Sequence, residues 1–319
     1  MPNEAVEAAK YIEEKTSIDY LHVAATSSSV PGHSYCKYPS VPSMYDSSNI
    51  LSELAEIIKK EVDLPVIAAA GISDPEDAEK IIKNGQADMV TIGRAFLADA
   101  HWGLKAQANK NIKPCIRCNV CHKNILLGKN VICAINPGLL REYRDLNVSK
   151  VKNIQKLLII GSGPSGLETA IQAVEKGNKV IIYEKSQYIG GALRLAAIPC
   201  FKYRVKKLMN YYLTEIKEKE INVITFFEIN ESNILEVIKK EEPDFIVLAT
   251  GGKPSIPKIE GIQRKNVYLA TDFFNEPGKY ILGNKIVVLG GGKVGLETAW
   301  YLADLGKVVS VVEMMEDNK

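Results

Sequence analysis

One segment of this chain is written twice. LLIIGSGPSGLETAIQAVEKGNKVIIYEK (157–185) returns as IVVLGGGKVGLETAWYLADLGKVVSVVEM (286–314), every equivalent pair standing 129 positions apart. Gly161 answers Gly290, Gly163 answers Gly292, Gly166 answers Gly295 and Glu184 answers Glu313. Each copy reads as an apolar strand, a G-x-G-x-x-G turn, a helix, a second strand and an acid. Two copies this far apart are not a solenoid. They predict two βαβ units of one kind. The first glycine permits a tight turn, the second lets backbone approach a pyrophosphate, and the third lets helix and strand pack closely. The helix N-terminus offers free N–H groups to phosphates. The acid, 23 positions after the first glycine, can accept hydrogen bonds from a ribose diol. The bland alternative is a pair of glycine-tightened units that bind nothing.

Between the start of the chain and the first repeat lies a cysteine window, Cys115-x2-Cys118-x2-Cys121-x11-Cys133. Four of the six cysteines fall inside it, which is not how a disulfide framework spreads over a chain of 319 residues. Three thiols at steps of three with a fourth further on fit the ligand set of a [4Fe–4S] centre. Structural zinc takes four thiolates too, though usually from two separated pairs, and remains the rival. Unliganded cysteines are the third reading. His122 is read as a neighbour of the site rather than a ligand, and Cys36 and Cys200 as ordinary thiols.

Residues 1–105 alternate helix and strand. Helices are predicted over Glu4–Lys15, Ile50–Glu61, from Ser73, Asp74 and Pro75 to Asn84, and from Arg94 to Ala100. Strands are predicted over Tyr20–Ala24, LPVIAAAG (64–71) and ADMVTIG (87–93). Such alternation indicates parallel βα units, and about three are present.

The segment DFIVLATGG (244–252), with its Ala249-Thr250-Gly251, resembles the crossover of two-dinucleotide flavoprotein reductases, and Gly190-Gly191 resembles their FAD half. That resemblance implies FAD at Gly161, Gly163, Gly166, Glu184, Gly191 and Gly251, and NAD(P)H at Gly290, Gly292, Gly295 and Glu313. A carboxylate at Glu313 repels a 2′-phosphate, so NADH is favoured.

The order of βα units, CIRCNVC and paired dinucleotide folds resembles the reductases that include 2,4-dienoyl-CoA reductase, 2-enoate reductase and trimethylamine dehydrogenase. The resemblance covers essentially the whole chain. It is most specific at LPVIAAAGISDPEDAEKII, ADMVTIGRAFLAD and CIRCNVC. It implies an α/β fold: the C-terminal part of an FMN-binding TIM barrel (1–105), a [4Fe–4S] segment and linker (106–150), an incomplete FAD lobe (151–283) and the start of an NAD(P)H lobe (284–319). The FMN phosphate would lie at Gly71, Gly93 and Arg94. Electrons would run from NAD(P)H to FAD, the cluster, FMN and an activated alkene. No catalytic acid is named, and His22 and His33 are read as structural.

A whole barrel needs about 250 residues, so the chain reads as cut at both ends. Segments supplied in trans or a homo-oligomer are then expected partners, beside a small unsaturated substrate. An accessory electron-transfer module without a substrate site and a non-functional fragment are the alternatives. With Lys plus Arg at 40 against Asp plus Glu at 38, the near-neutral balance disfavours nucleic-acid or polybasic membrane binding. The acidic, core-less N-terminus and the clustered thiols point to the cytoplasm.

Overall fold

The computed structural model describes residues 2–24, 41–46, 51–69, 71–141 and 153–315; Cys36 and His33 lie outside them. The chain divides into two compact units. The first comprises Met1–Lys152 with Asn210–Lys217, the second Asn153–Met209 with Glu218–Lys319.

The first unit opens with α1 (Pro2–Lys15), β1 (Leu21–Val23), α2 (Ser52–Lys59), β2 (Val66–Ala68), α3 (Pro75–Lys83) and β3 (Met89–Val90). The strands form one parallel sheet in the order β1-β2-β3. They are shorter than the apolar runs suggest, because only the central residues of each run pair. Pro75 opens α3 in the first turn and Gly85 lies just past its end, where the N–H groups of Gly85 and Gln86 return to Ile82 and Ile81. The core gathers Ala55, Ile58, Val66, Ala68, Ile81 and Ala87 between helices and sheet. Three short helices follow: α4 (Arg94–Ala98), α5 (Trp102–Gln107) and α6 (Val120–Leu126).

In the second unit, β4 (Lys156–Ile160), α7 (Pro164–Glu175) and β5 (Lys179–Tyr183) form the first repeat. After α8 (Gly191–Ala196) and α9 (Tyr203–Glu218), whose residues 210–217 count with the first unit, come β6 (Asn222–Ile224), α10 (Ile234–Glu241) and β7 (Phe245–Leu248). All four strands are parallel in the order β6-β5-β4-β7. The chain therefore runs outward from β4 in one direction and then crosses back to its other side. The carboxyl ends of β4 and β7 become the crevice where a doubly wound sheet takes its ligand. Leu158, Ile159 and Ile182 are buried, as strands covered on both faces require. The second repeat is β8 (Lys285–Leu289), α12 (Lys293–Asp304) and β9 (Val308–Val312), preceded by α11 (Ala270–Asn275). β8 and β9 pair in parallel, with Phe273, Phe274 and Leu302 packed beneath them.

Candidate functional sites

The glycines of the first repeat do three separable jobs. Gly161 stands at φ +105, and a Cβ there would lie 2.3 Å from the Ala249 carbonyl oxygen, so only glycine lets the turn after β4 pass the end of β7. A Cβ on Gly166 would lie 2.0 Å from the Gly161 oxygen, so the start of α7 sits directly on the turn. A Cβ on Gly163 would meet nothing within 4 Å, so the backbone is open on that side. Gly191 closes the cradle from α8, with its missing Cβ 3.1 Å from the Gly163 Cα. Gly251 lies two residues beyond the Ala249 contact and faces open space. The second repeat repeats the geometry: Gly290 at φ +106, open space over Gly292, and a Gly295 Cβ position 1.8 Å from the Gly290 oxygen.

Each acid closes its own turn. Glu184 is buried and its Oε2 accepts the N–H and the Oγ–H of Ser162, while Oε1 accepts the N–H of Ser186 at 2.8 Å. Glu313 accepts the N–H groups of Gly291, Met314 and Met315. The backbone donors Met315 and Gly291 outweigh a small opposing effect of burial and hold its carboxyl below the usual range. Both acids therefore stand at a strand end beside the glycine turn. The fully buried Ser162 hydroxyl was not singled out from sequence; its small side chain between two motif glycines is the signal.

The four cysteines of the window line one cavity of about 20 Å³, with Arg94, Arg117 and Asn119 in its wall. Two left-handed residues, Arg117 (φ 49) and Asn119 (φ 58), curl the chain between Cys115 and Cys121. Cys121 lies in the first turn of α6, and Cys133 comes in from the following segment. Burial pushes the Cys115 thiol up, against the N–H of Arg117 and the charge of Arg94; burial likewise raises Cys133, against the N–H groups of Ile135 and Asn136. Among the described residues no three metal-ligating side chains converge on the position of a single ion.

A second cavity, of about 300 Å³, opens at the carboxyl ends of β2 and β3. Gly71, Gly93 and Arg94 all line it, as do Ser73, Thr91 and Arg117. Trp102 Nε1 holds the Ser73 carbonyl at 2.9 Å, fixing the loop after β2. Arg94 Nη1 donates to the Pro42 carbonyl at 2.7 Å and to Asn119 Oδ1. His122 lines this larger cavity rather than the thiol cavity. His22 Nε2 pairs with Thr91 Oγ1 at 3.0 Å. The two cavities share Arg94, Leu97, Cys115, Arg117 and Cys121.

Residues 155–318 match the family model of the pyridine nucleotide-disulphide oxidoreductases, and residues 3–113 that of the NADH:flavin oxidoreductase / NADH oxidase family. The chain belongs to these flavin- and nicotinamide-dependent oxidoreductases. It is 35% identical to an NADH oxidase of Thermoanaerobacter brockii, over 98% of this chain and 48% of that protein. It is 36% identical to a cinnamate reductase of Clostridium sporogenes, over 88% of this chain and 41% of that one. A solved 2-naphthoyl-CoA reductase superposes at a TM-score of 0.87 with 31% identity, covering 97% of this chain and 46% of its own. These matches set the chain in the 2-enoate reductase-like family. Its parallel sheets are then the end of a TIM barrel and Rossmann-like nucleotide lobes. The chain spans about half the length of the curated relatives it matches. Among the described residues no helix is long and apolar enough to cross a membrane.

Proposed function

We propose that this oxidoreductase takes electrons from NADH at the second repeat and passes them through FAD, a [4Fe–4S] centre and FMN to a conjugated unsaturated acid or its thioester. The substrate class is supported by the names of the relatives, a cinnamate reductase and a 2-naphthoyl-CoA reductase. The single observation that carries the reading is the wall shared by the thiol cavity and the strand-end cavity.

The residues present fit the groups. Gly161, Gly163, Gly166 and Gly191 leave a backbone cradle that a Cβ would fill or crowd, with Glu184 fixed beside it for a ribose. Gly290, Gly292, Gly295 and Glu313 repeat that cradle for the nicotinamide dinucleotide. Cys115, Cys118, Cys121 and Cys133 offer four thiols around one cavity, the ligand number of a [4Fe–4S] centre, in the triple-plus-one spacing that favours it over zinc. Gly71, Gly93 and Arg94 border a space at strand carboxyl ends, where barrel enzymes place their phosphates. A flavin beside a cluster supplies the conversion of a two-electron hydride into single-electron transfers. The protein's part is to hold these groups at fixed separation: the cysteine loop is pinned by Asn119 to Arg94 and to the Val41 carbonyl.

Anaerobic purification tests the proposal. About four iron and four sulfide per chain are expected, with FAD and FMN released on denaturation. Zinc in place of iron overturns the cluster assignment. Retention of FAD without FMN, even after incubation with FMN, overturns the barrel-side site and leaves an electron-transfer module.

A further inference from the structure

Both repeats carry the run GLETA, which puts a glutamate at the same place in each helix, Glu168 in α7 and Glu297 in α12. Glu297 reaches out of its own repeat. Its Oε2 accepts from Lys202 Nζ at 2.6 Å, across 95 positions of sequence. Lys202 ends the 3₁₀ turn Cys200–Lys202 that follows α8. The two side chains are only 9% and 18% exposed. A lysine so far withdrawn from water needs its partner's charge. One helical turn further along the same face of α12, Trp300 stacks on Phe201, with ring centroids 4.0 Å apart and planes within 9°. Leu195 and Ile198 pack against the Phe273, Phe274 and Leu302 cluster of the second repeat. The same stretch begins at Gly191, which abuts Gly163 in the first cradle. Residues 191–202 therefore touch the first glycine cradle at one end and grip the helix that leads from the second at the other.

We propose that Lys202 is a positioning residue for hydride transfer between the two dinucleotide sites, acting through Glu297. The inference rests on the reading of the first repeat as the FAD site and the second as the NADH site. In the step it serves, NADH gives a hydride, one proton with two electrons, to FAD, leaving NAD⁺ and FADH⁻. Such a transfer is fast only when the reacting atoms are held about 3–3.5 Å apart, and a misplacement of about 1 Å costs on the order of a hundredfold. Each glycine turn and its acid come from a single repeat, so neither sets the distance to the other. That distance depends on what ties α12 to the segment closing the first cradle. Stacked rings restrain separation more than sliding, whereas the Lys202–Glu297 pair fixes one point on α12.

The test follows bleaching of FAD absorbance in the FAD-loaded chain, mixed anaerobically with rising NADH. K202M is expected to lower the limiting rate of FAD reduction about ten- to a hundredfold. The NADH concentration at half-saturation, and the affinities for FAD and NAD⁺, should stay within about twofold of wild type. E297Q, which keeps the shape and removes the charge, should slow reduction in the same way. The double variant K202M/E297Q should be no slower than the slower single variant, because each acts through the other. Thermal melting shows which variants fold, and should K202M not fold, E297Q carries the test. A wild-type limiting rate in a folded variant overturns the inference, as do losses that add in the double variant. A fall in FAD or NAD⁺ affinity that matches the fall in rate also overturns it, because the pair would then be building a cradle. A wild-type chain that binds FAD and NAD⁺ yet is not reduced by NADH overturns the reading of the two sites, and this inference with it.

Discussion

Glu184 and Ser162 are joined by two hydrogen bonds to one carboxylate oxygen, 2.8 Å from the backbone N–H and 2.7 Å from the hydroxyl. Glu313 and Gly291 repeat the backbone bond at the equivalent positions of the second repeat, where glycine has no hydroxyl to add. Each bond ties the end of the second strand to the turn after the first. Glu184 Oε1 and Glu313 Oε2 accept one hydrogen bond each and keep a lone pair, whereas the other oxygen of each acid already accepts two, so a ribose would meet an acid already oriented.

Removing the hydroxyl with S162A should cost the first lobe about 1.5–3 kcal/mol, the range for a hydrogen bond to a charged group. FAD affinity should fall severalfold, because Glu184 gains rotational freedom. E184Q should cost at least as much, since its amide group cannot accept from both Ser162 and Ser186. Urea denaturation and FAD reconstitution fluorescence read the two effects. If both stay at wild-type values, Glu184 does not depend on Ser162 for its orientation.

The glycine positions separate folding from binding. G161A places a methyl 2.3 Å from the Ala249 oxygen at φ +105, and G166A places one 2.0 Å from the Gly161 oxygen. Both should destabilise the second unit by about 1–3 kcal/mol or more, through overpacking and a disfavoured backbone. G163A meets nothing within 4 Å. It should melt like wild type and still lose FAD, because the methyl occupies the side from which phosphate approaches. A G163A chain with wild-type FAD affinity would show that the pyrophosphate does not lie over Gly163.

The motif residues were legible because their roles are local. A glycine turn, a strand-end acid and a run of thiols each declare their chemistry within a few residues. Arg117 and Ser162 were not legible in this way. Arg117 packs its guanidinium against Gly71, 46 positions earlier, from a left-handed turn in the cysteine loop. Ser162 looks like filler between glycines until the fold brings Glu184 to it from 22 positions away. Strand limits were blurred for a related reason. LPVIAAAG is apolar throughout, yet only Val66–Ala68 pairs, all three residues with β1 and just Ile67 and Ala68 with β3 as well.

Asp99 gives the first unit an acid-sensitive joint. Burial favours its neutral form, but the Lys105 ammonium and the N–H groups of Lys113 and His101 outweigh this and hold its carboxyl below the usual range. A depressed carboxyl contributes stability that is present above the unfolded-state pKa of about 3.9 and is lost as pH falls through the folded value. D99N should therefore be less stable than wild type at pH 7. The gap should narrow as pH drops below about 4. Denaturation curves at a series of pH values read this directly, and a gap that stays constant down to pH 3 would remove Asp99 from the acid response.

Glu313 is expected to set the choice of nicotinamide cofactor. The N–H groups of Met315, Gly291 and Met314 hold its carboxyl ionised, so the charge persists throughout the neutral range. A 2′-phosphate on the ribose it faces would meet like charge, whereas a free diol meets an acceptor. E313Q removes the repulsion and weakens the acceptance together. NADPH should gain and NADH should lose. The preference for NADH should fall about fivefold or more, measured by titrating the FAD-loaded chain with NAD⁺ and NADP⁺ and following tryptophan fluorescence. Salt separates the two causes: screening should erode the wild-type discrimination as ionic strength rises and leave E313Q nearly unaffected. A ratio unchanged by both the substitution and salt would mean that the ribose lies elsewhere, and that the second glycine cradle does not present its dinucleotide to Glu313.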